Sequence, residues 1–403
     1  MKILHVTPSY YPAIELGGPT MSMREIDRAL CACGASVDVI TTNTHLRNNL
    51  DVPLGVWVDD GHGVRVQYRP RIAQSMYSFS PKQFEFLLRA HREYDAFYVS
   101  TLFTFSTAVF SLLARLTQLR YWVSPRAAMN LSKRAALKRA HLALFEKPLY
   151  EGAQFIHVTS AQEENELRSV GLGPNFLLVP NAANEISVRW PESVKRLWPD
   201  ESEQTVRTDL FLESLGHVRF FYFGTISPLK NIDALIEAFK KVSLGKHASL
   251  VLIGPDYRGE RTRLQKKYAS LGPSIAFIDR MDNAEIHALA PQLGISVHAS
   301  LGENFSNSLI EVSKLKLPAI VSSEIGALEF LSHHGIIVFD PSIKGDLANA
   351  LGRAFTNYDM LRTEAKERKI NLPTWKDCGR ALLDALNRRP QISNQAREWS
   401  WRI

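Results

Sequence analysis

Two carboxylates, Glu303 and Glu311, bracket a short polar loop and the opening turns of the helix that follows it. The loop reads Ser300-Leu-Gly-Glu-Asn-Phe-Ser306, and the spacing predicts a helix that starts near Ser306 or Asn307 and stops before Pro318. A loop that feeds a helix N-terminus presents unpaired N–H groups at the positive end of the helix dipole, which suits a phosphate. Glu303 stands where it could meet a reacting group, and Glu311 where it could hold a ribose diol. The same residues would equally suit an ordinary strand–helix–strand unit with surface glutamates. A second candidate is Gly17-Gly18, between a strand over 2–7 and a helix from about Thr20. Glycines there let backbone approach a phosphate closely, although the spacing is not the GxGxxG of a dinucleotide site.

These loops need strands behind them. Apolar runs over 2–7, 36–42, 64–69, 97–99, 120–124, 154–159 and 176–179 read as strands, with helices between most of them. The stretch 46–63 reads as loop. The alternation predicts a mainly parallel, doubly wound sheet. It breaks over 185–215, where Trp190-Pro, Trp198-Pro and mixed charges predict a linker. It then restarts with strands over 219–223, 249–253, 275–278, 295–298, 319–321 and 336–339. Ile232, Leu235, Ile236, Phe239 and Val242 make one apolar helix face, with Asn231 as its expected N-cap. The fold class expected is α/β: two Rossmann-like domains facing a cleft, over 1–190 and 217–375, joined by 191–216.

Composition excludes several classes. A net charge of +7 and a pI near 9.2 are basic, yet short of the density of a dedicated nucleic-acid binder. Cys31, Cys33 and Cys378 form neither a disulfide framework nor a zinc set, and are expected to be small buried residues in a reducing compartment. The start, Met1-Lys-Ile-Leu-His-Val-Thr-Pro8, is too soon interrupted for a signal peptide. The uncharged stretch 96–114 carries six serines and threonines, which argues for a buried strand and helix over a membrane span. A cytoplasmic protein is expected. Over 115–147 eight basic residues stand against Glu146 alone, with leucines at roughly helical spacing. Such a stretch suits an anionic membrane surface, an anionic substrate or a solvated helix face.

Several landmarks in one order resemble the GT-B glycosyltransferases, in particular the large retaining family 4. They are Gly17-Gly18; the turn Pro125-Arg126-Ala127-Ala128-Met129; the run with Ala153, Ile156, His157, Thr159, Ser160 and Glu163; and Val179-Pro180-Asn181-Ala182. The second half adds Gly224-Thr225-Ile226-Ser227-Pro228-Leu229-Lys230-Asn231, then Glu303 through Glu311, then Pro318 through Ser322. Trp375 resembles the tryptophan that opens the family's final helix, so 376–403 is expected to return to the first domain.

The resemblance implies a retaining transferase that moves a hexosyl unit from a nucleotide diphosphate sugar to a saccharide acceptor. A polyprenyl-linked intermediate of a bacterial surface polysaccharide is the expected acceptor, with peripheral contact to an anionic membrane. No nucleic acid and no metal cofactor are expected; no Asp-x-Asp metal motif is present. Lys230 is implied to face the diphosphate, with the N–H groups of Phe305, Ser306, Asn307 and Ser308 cradling it. Gly17 and Gly18 join the donor side, Glu311 takes the ribose, and Glu303 sits beside the transferred sugar. Arg126 is implied to contact sugar or acceptor. The chain departs from the family pattern at Thr225, where a phosphate-binding arginine is usual, and at Asn304, Ser306, Ala182, Ala127 and Asn231, where glycine is usual. Those departures keep two alternatives open, a non-catalytic GT-B subunit and a nucleotide-sugar epimerase.

Overall fold

The computed structural model describes residues 1–13, 18–45, 48–72, 75, 77–126, 135–197, 203–242 and 247–388. The first domain begins with β1 (Lys2–Val6), α1 (Gly18–Ala32) and β2 (Ser36–Thr42). A small ribbon follows, β3 (Thr44–His45) with β4 (Asn48–Asn49), then β5 (Trp57–Asp59) and β6 (Val64–Arg69). The expected loop over 46–63 therefore contains β4 and β5, and β5 pairs antiparallel with β6. Next come α2 (Pro81–Ala90), β7 (Ala96–Ser100), α3 (Phe105–Leu116), β8 (Tyr121–Ser124), α4 (Ala135–His141), α5 (Lys147–Glu151), β9 (Ile156–Val158), α6 (Ala161–Ser169) and β10 (Phe176–Leu178). A π-helical turn, Leu142–Glu146, joins α4 to α5.

The sheet runs β10-β9-β8-β7-β1-β2-β6-β5, parallel except at β5. Its inner strands β1, β2, β7, β8 and β9 are buried on both faces, which is why they read as continuous apolar runs. One face carries a ladder of stacked rings on adjacent strands: His5 on Tyr98 at 4.0 Å, Tyr98 on Trp122 at 5.0 Å, and Trp122 on Phe155 at 5.8 Å. The uncharged stretch over 96–114 is β7 and the start of α3. Among the described residues no helix is long and apolar enough to cross a membrane.

The stretch read as a linker is not one. Its β11 (Ser193–Leu197) and β12 (Glu203–Arg207) form an antiparallel edge of the second sheet, followed by α7 (Thr208–Glu213). Val194 and Leu197, three residues apart in β11, point to opposite faces of the sheet and each enters the core on its own side, while Lys195 stays out. The second domain continues with β13 (Val218–Phe223), α8 (Ile232–Val242), β14 (Ala248–Ile253), α9 (Glu260–Lys267), β15 (Ile275–Ile278), α10 (Asn283–Leu293), β16 (Ile295–His298), α11 (Asn307–Lys314), β17 (Ala319–Ser322), β18 (Ile336–Phe339), α12 (Asp346–Thr356) and α13 (Tyr358–Lys366). The strand order is β12-β11-β15-β14-β13-β16-β17-β18.

The last described helix, α14 (Trp375–Asn387), leaves the second domain and lies on α1. Cys378, Leu382 and Leu386 enter the core of the first domain. Gly379 permits this approach, since a Cβ there would lie 2.7 Å from the Ala29 backbone. Cys378 is buried as expected, whereas Cys31 and Cys33 are only half-buried beside this contact.

Each sheet reverses direction of winding at one point, between β1 and β7 in the first and between β13 and β16 in the second. Loops at the carboxyl ends of such strand pairs diverge and leave a crevice where doubly wound sheets bind ligands. The loops after β13 and β16 are those that contain Lys230 and Glu303.

Candidate active site

The loop after β13 makes one 3-10 turn, Pro228–Lys230, and ends on Asn231 in the left-handed region, φ 56°. The Asn231 carbonyl does accept the first helical bond of α8, from Leu235 N at 3.1 Å. Its backbone is nevertheless not that of an ordinary N-cap. Left-handed backbone is what glycine usually supplies, and asparagine tolerates it better than other side chains. The loop after β16 docks on this turn through Leu301 N to Leu229 O at 3.0 Å.

Lys230 Nζ lies 2.7 Å from Glu303 Oε1. The other Glu303 oxygen accepts from Ser300 Oγ at 3.0 Å. Glu303 is clamped by its backbone to the loop after β17, with its N–H on Glu324 O and its carbonyl taking Gly326 N–H. Its carboxylate is thus aimed by main chain as well as side chain. His298, at the end of β16, is pushed down to about 3 by burial and by the charges of Lys230 and Arg368. It stays neutral, so it does not compete with Lys230 for an anion.

Ser306 precedes α11 with φ −98°, and its side chain makes no cap. Its hydroxyl meets Ser308 Oγ at 3.2 Å instead. Ser306 therefore caps none of the first-turn N–H groups of α11, and the free first turn of a helix has the capacity for an anion. Neither Asn304 nor Ser306 has positive φ, so replacing glycine costs no backbone strain at either place. The partly buried Phe305 ring tilts against Phe330 at 5.9 Å, which anchors the loop. Glu311 is buried one turn further on. Asn283 Nδ2 donates to its Oε1 at 3.5 Å, and His287 Nε2 lies 3.3 Å from Oε2. The carboxylate expected at the ribose is held from α10, by two residues that carry no spacing signal in the sequence.

The first domain supplies the opposite wall. Gly17 lies outside the described residues. Gly18 opens α1 against Asn307, and a Cβ there would sit 3.2 Å from Asn307 Nδ2. Asn181 Nδ2 donates to Asn307 Oδ1 at 3.5 Å, and Arg126 donates to Asn181 Oδ1 at 2.6 Å. A relay through Asn181 thus joins Arg126 to Asn307 at the start of α11. Arg126 is buried in left-handed backbone, φ 55°, and donates to Ser124 Oγ at 2.9 Å. His157 Nε2 donates to Val179 O at 2.8 Å, which leaves Nδ1 as a lone pair facing Arg126 at 3.4 Å. Burial and the Arg126 charge hold His157 well below its usual range, consistent with that neutral tautomer. Asn181 was legible only as a landmark after a strand.

Thr159, Ser160 and Glu163 make one local device. Ser160 Oγ caps α6 by accepting Glu163 N–H, and Glu163 accepts from Thr159 N–H and hydroxyl. Burial raises the Glu163 carboxyl, opposed by Thr159, Arg126 and Asn304. Gly326 comes so close to Ser160 that a Cβ would lie 2.4 Å from its hydroxyl. Across the same junction Glu329 accepts Ala161 N–H at 2.8 Å.

Comparison with known proteins agrees with this arrangement. Residues 17–182 match the sequence family described as Glycosyl transferase 4-like domain, and residues 213–371 match Glycosyl transferases group 1. No curated protein sequence matches. Among solved structures, sucrose-phosphate synthase from Thermosynechococcus elongatus superposes with a TM-score of 0.70 at 18% identity, over 95% of this chain and 97% of that one. Anabaena HepE, solved with UDP and glucose, gives 0.68 at 15%, over 96% and 99%. WaaG, a glycosyltransferase involved in lipopolysaccharide biosynthesis, gives 0.60 at 13%, over 95% of each chain. With matches across both halves and this two-domain architecture, the chain belongs to the GT-B glycosyltransferases of group 1, family 4.

Proposed function

We propose that this enzyme transfers a hexosyl unit, with retention of configuration, from a nucleotide diphosphate sugar to a saccharide acceptor. The observation that carries the donor assignment is the convergence of Lys230, Glu303, the uncapped start of α11 and Glu311 at the β13/β16 crevice. The C1–O bond to the diphosphate breaks, its electron pair going to phosphate, and an acceptor hydroxyl oxygen bonds C1 in its place, its proton passing to the departing phosphate oxygen. Lys230 and the α11 N–H groups take up the developing negative charge, a role that here needs no metal. Glu311 accepts from the ribose hydroxyls, and Glu303 faces the sugar once Lys230 turns to the diphosphate. HepE binds UDP-glucose, which supports a nucleotide sugar as the donor class.

The acceptor we propose is a lipid-linked intermediate of a bacterial surface polysaccharide, met at the inner face of the cytoplasmic membrane. Its support is the surface formed by α3, α4 and the π-helical turn. Leu116 is 81% exposed, Leu137 65% and Leu144 58%. Arg115, bonded to the Leu144 carbonyl, and Arg139 are exposed among them. Leucines that enter a bilayer beside cations that meet anionic headgroups make a peripheral membrane face. Lys133 and Arg134 lie outside the described residues. Incubation with UDP-, GDP- and dTDP-sugars and a saccharide acceptor tests the reaction. Transfer supports the proposal; isomerisation of the donor, or no turnover, overturns it.

A further inference from the structure

We infer that His287 acts as an imidazolium that positions the Glu311 carboxylate for the nucleotide ribose, a role that rests on the donor site proposed above. The argument is one of hydrogen-bond valence. His287 is buried on α10, with Nδ1 3.0 Å from Ser187 O and Nε2 3.3 Å from Glu311 Oε2. Both partners are acceptors. A neutral imidazole has one N–H and would leave a lone pair against one of them. Only the doubly protonated ring donates to both. Free imidazole is a stronger base than a free carboxylate, which places the proton shared between Nε2 and Oε2 on the ring; Asn283 donates to the other Glu311 oxygen.

The charged groups around the ring agree. Glu311 and the Ser187 carbonyl raise the His287 pKa, while burial and Lys314 on α11 lower it, with the net direction upward. Lys314 is itself turned away to the Asn184 carbonyl. Ser187 belongs to the segment that crosses between domains, and Arg189 N–H bonds Ala284 O beside it at 2.9 Å. His287 therefore fixes Glu311 against the crossover segment, which leaves the remaining lone pairs of the carboxylate for two hydroxyl donors. Loss of the proton puts a lone pair against either the carboxylate or the Ser187 carbonyl, and either breaks the link that fixes Glu311 to the crossover segment. Because the folded pKa is raised, the orientation is complete at low pH and is lost as pH rises through it.

The test is calorimetric titration of the full chain with the tightest of UDP, GDP and ADP, from pH 5.5 to 9, for wild type, His287→Gln and His287→Met. Wild-type affinity should fall about tenfold across the range. The Gln variant keeps a donor that cannot titrate, so it should stay near the low-pH wild-type affinity throughout. The Met variant should match the high-pH wild type at every pH. The 2′,3′-dideoxy form of the same nucleotide should bind all three alike. A pH-independent wild type, a Gln variant that titrates, or equal losses for the dideoxy nucleotide would overturn the role. If wild type binds no nucleoside diphosphate, the donor site itself is wrong. Melting temperatures of the variants separate loss of fold from loss of affinity.

Discussion

Lys230 and Glu303 are paired at 2.7 Å, so the cation expected on the diphosphate and the carboxylate expected beside the sugar neutralise one another before any donor arrives. Both are partly exposed, which limits what the pair contributes to stability. In the proposed donor site the pair is a resting state that a diphosphate would displace. Glu303→Gln should then leave nucleoside diphosphate affinity unchanged or slightly tighter, because Lys230 is released. The same change should lower the transfer rate by about 10²–10³ if the carboxylate acts on the transferring sugar. Calorimetry and single-turnover rates together check this; a large loss of nucleotide affinity would count against it.

Asn231 gives a stability prediction independent of substrate. Its left-handed backbone, φ 56°, costs a β-branched residue about 1–2 kcal/mol. Asn231→Val should lower Tm by several degrees, and Asn231→Gly should be close to neutral. Thermal unfolding followed by circular dichroism distinguishes the two; equal losses would show that the side chain and not the backbone is what matters.

Glu146 sits fully buried under the proposed membrane face, accepting from Phe103 N–H and Thr107 Oγ1 at 2.8 Å each, with His141 Nδ1 3.4 Å away. Burial pushes its carboxyl up to about 7 against those two hydrogen bonds. An unfolded glutamate titrates near ~4.3. Between those values the folded state binds the extra proton, so stability falls as pH rises through the window. Glu146→Gln keeps the acceptor and removes the titration. It should raise Tm at pH 8 by several degrees and change little at pH 4.5. No difference between the two pH values would contradict the assignment.

The membrane face makes its own prediction. Leu116→Glu with Leu144→Glu should abolish co-flotation with anionic vesicles and leave turnover on a water-soluble acceptor intact. Neutralising Lys133, Arg134, Lys138 and Arg139 should weaken flotation in a salt-dependent way. Flotation that is insensitive to both sets would remove the membrane from the account.

Much of this was legible in the sequence because the buried strands are uninterrupted apolar runs. The strand–loop–helix unit around Glu303 lies where periodicity placed it, and α11 starts at Asn307. The failures have specific causes. β11 and β12 were hidden because edge strands are short and half-charged, and because Trp190-Pro and Trp198-Pro punctuate them like loop. Asn231 looked like a cap because asparagine favours both caps and left-handed backbone, and sequence alone does not separate those uses. Asn283 and His287 gave no sign, since their importance lies in facing Glu311 from another helix. The concern over Asn304 and Ser306 dissolves at the backbone: neither position needs glycine's conformations. Thr225 carries no charge, so in the proposed donor site more of the diphosphate charge would fall on Lys230.

That concentration of charge makes Lys230 the most direct test of the central claim. Titration of wild type and Lys230→Ala with a nucleoside diphosphate and with the matching nucleoside measures the diphosphate contribution alone. The account predicts a loss of about ten- to a hundredfold for the diphosphate, the scale of a charged hydrogen bond, and no change for the nucleoside. Equal affinity of both proteins for the diphosphate would contradict it.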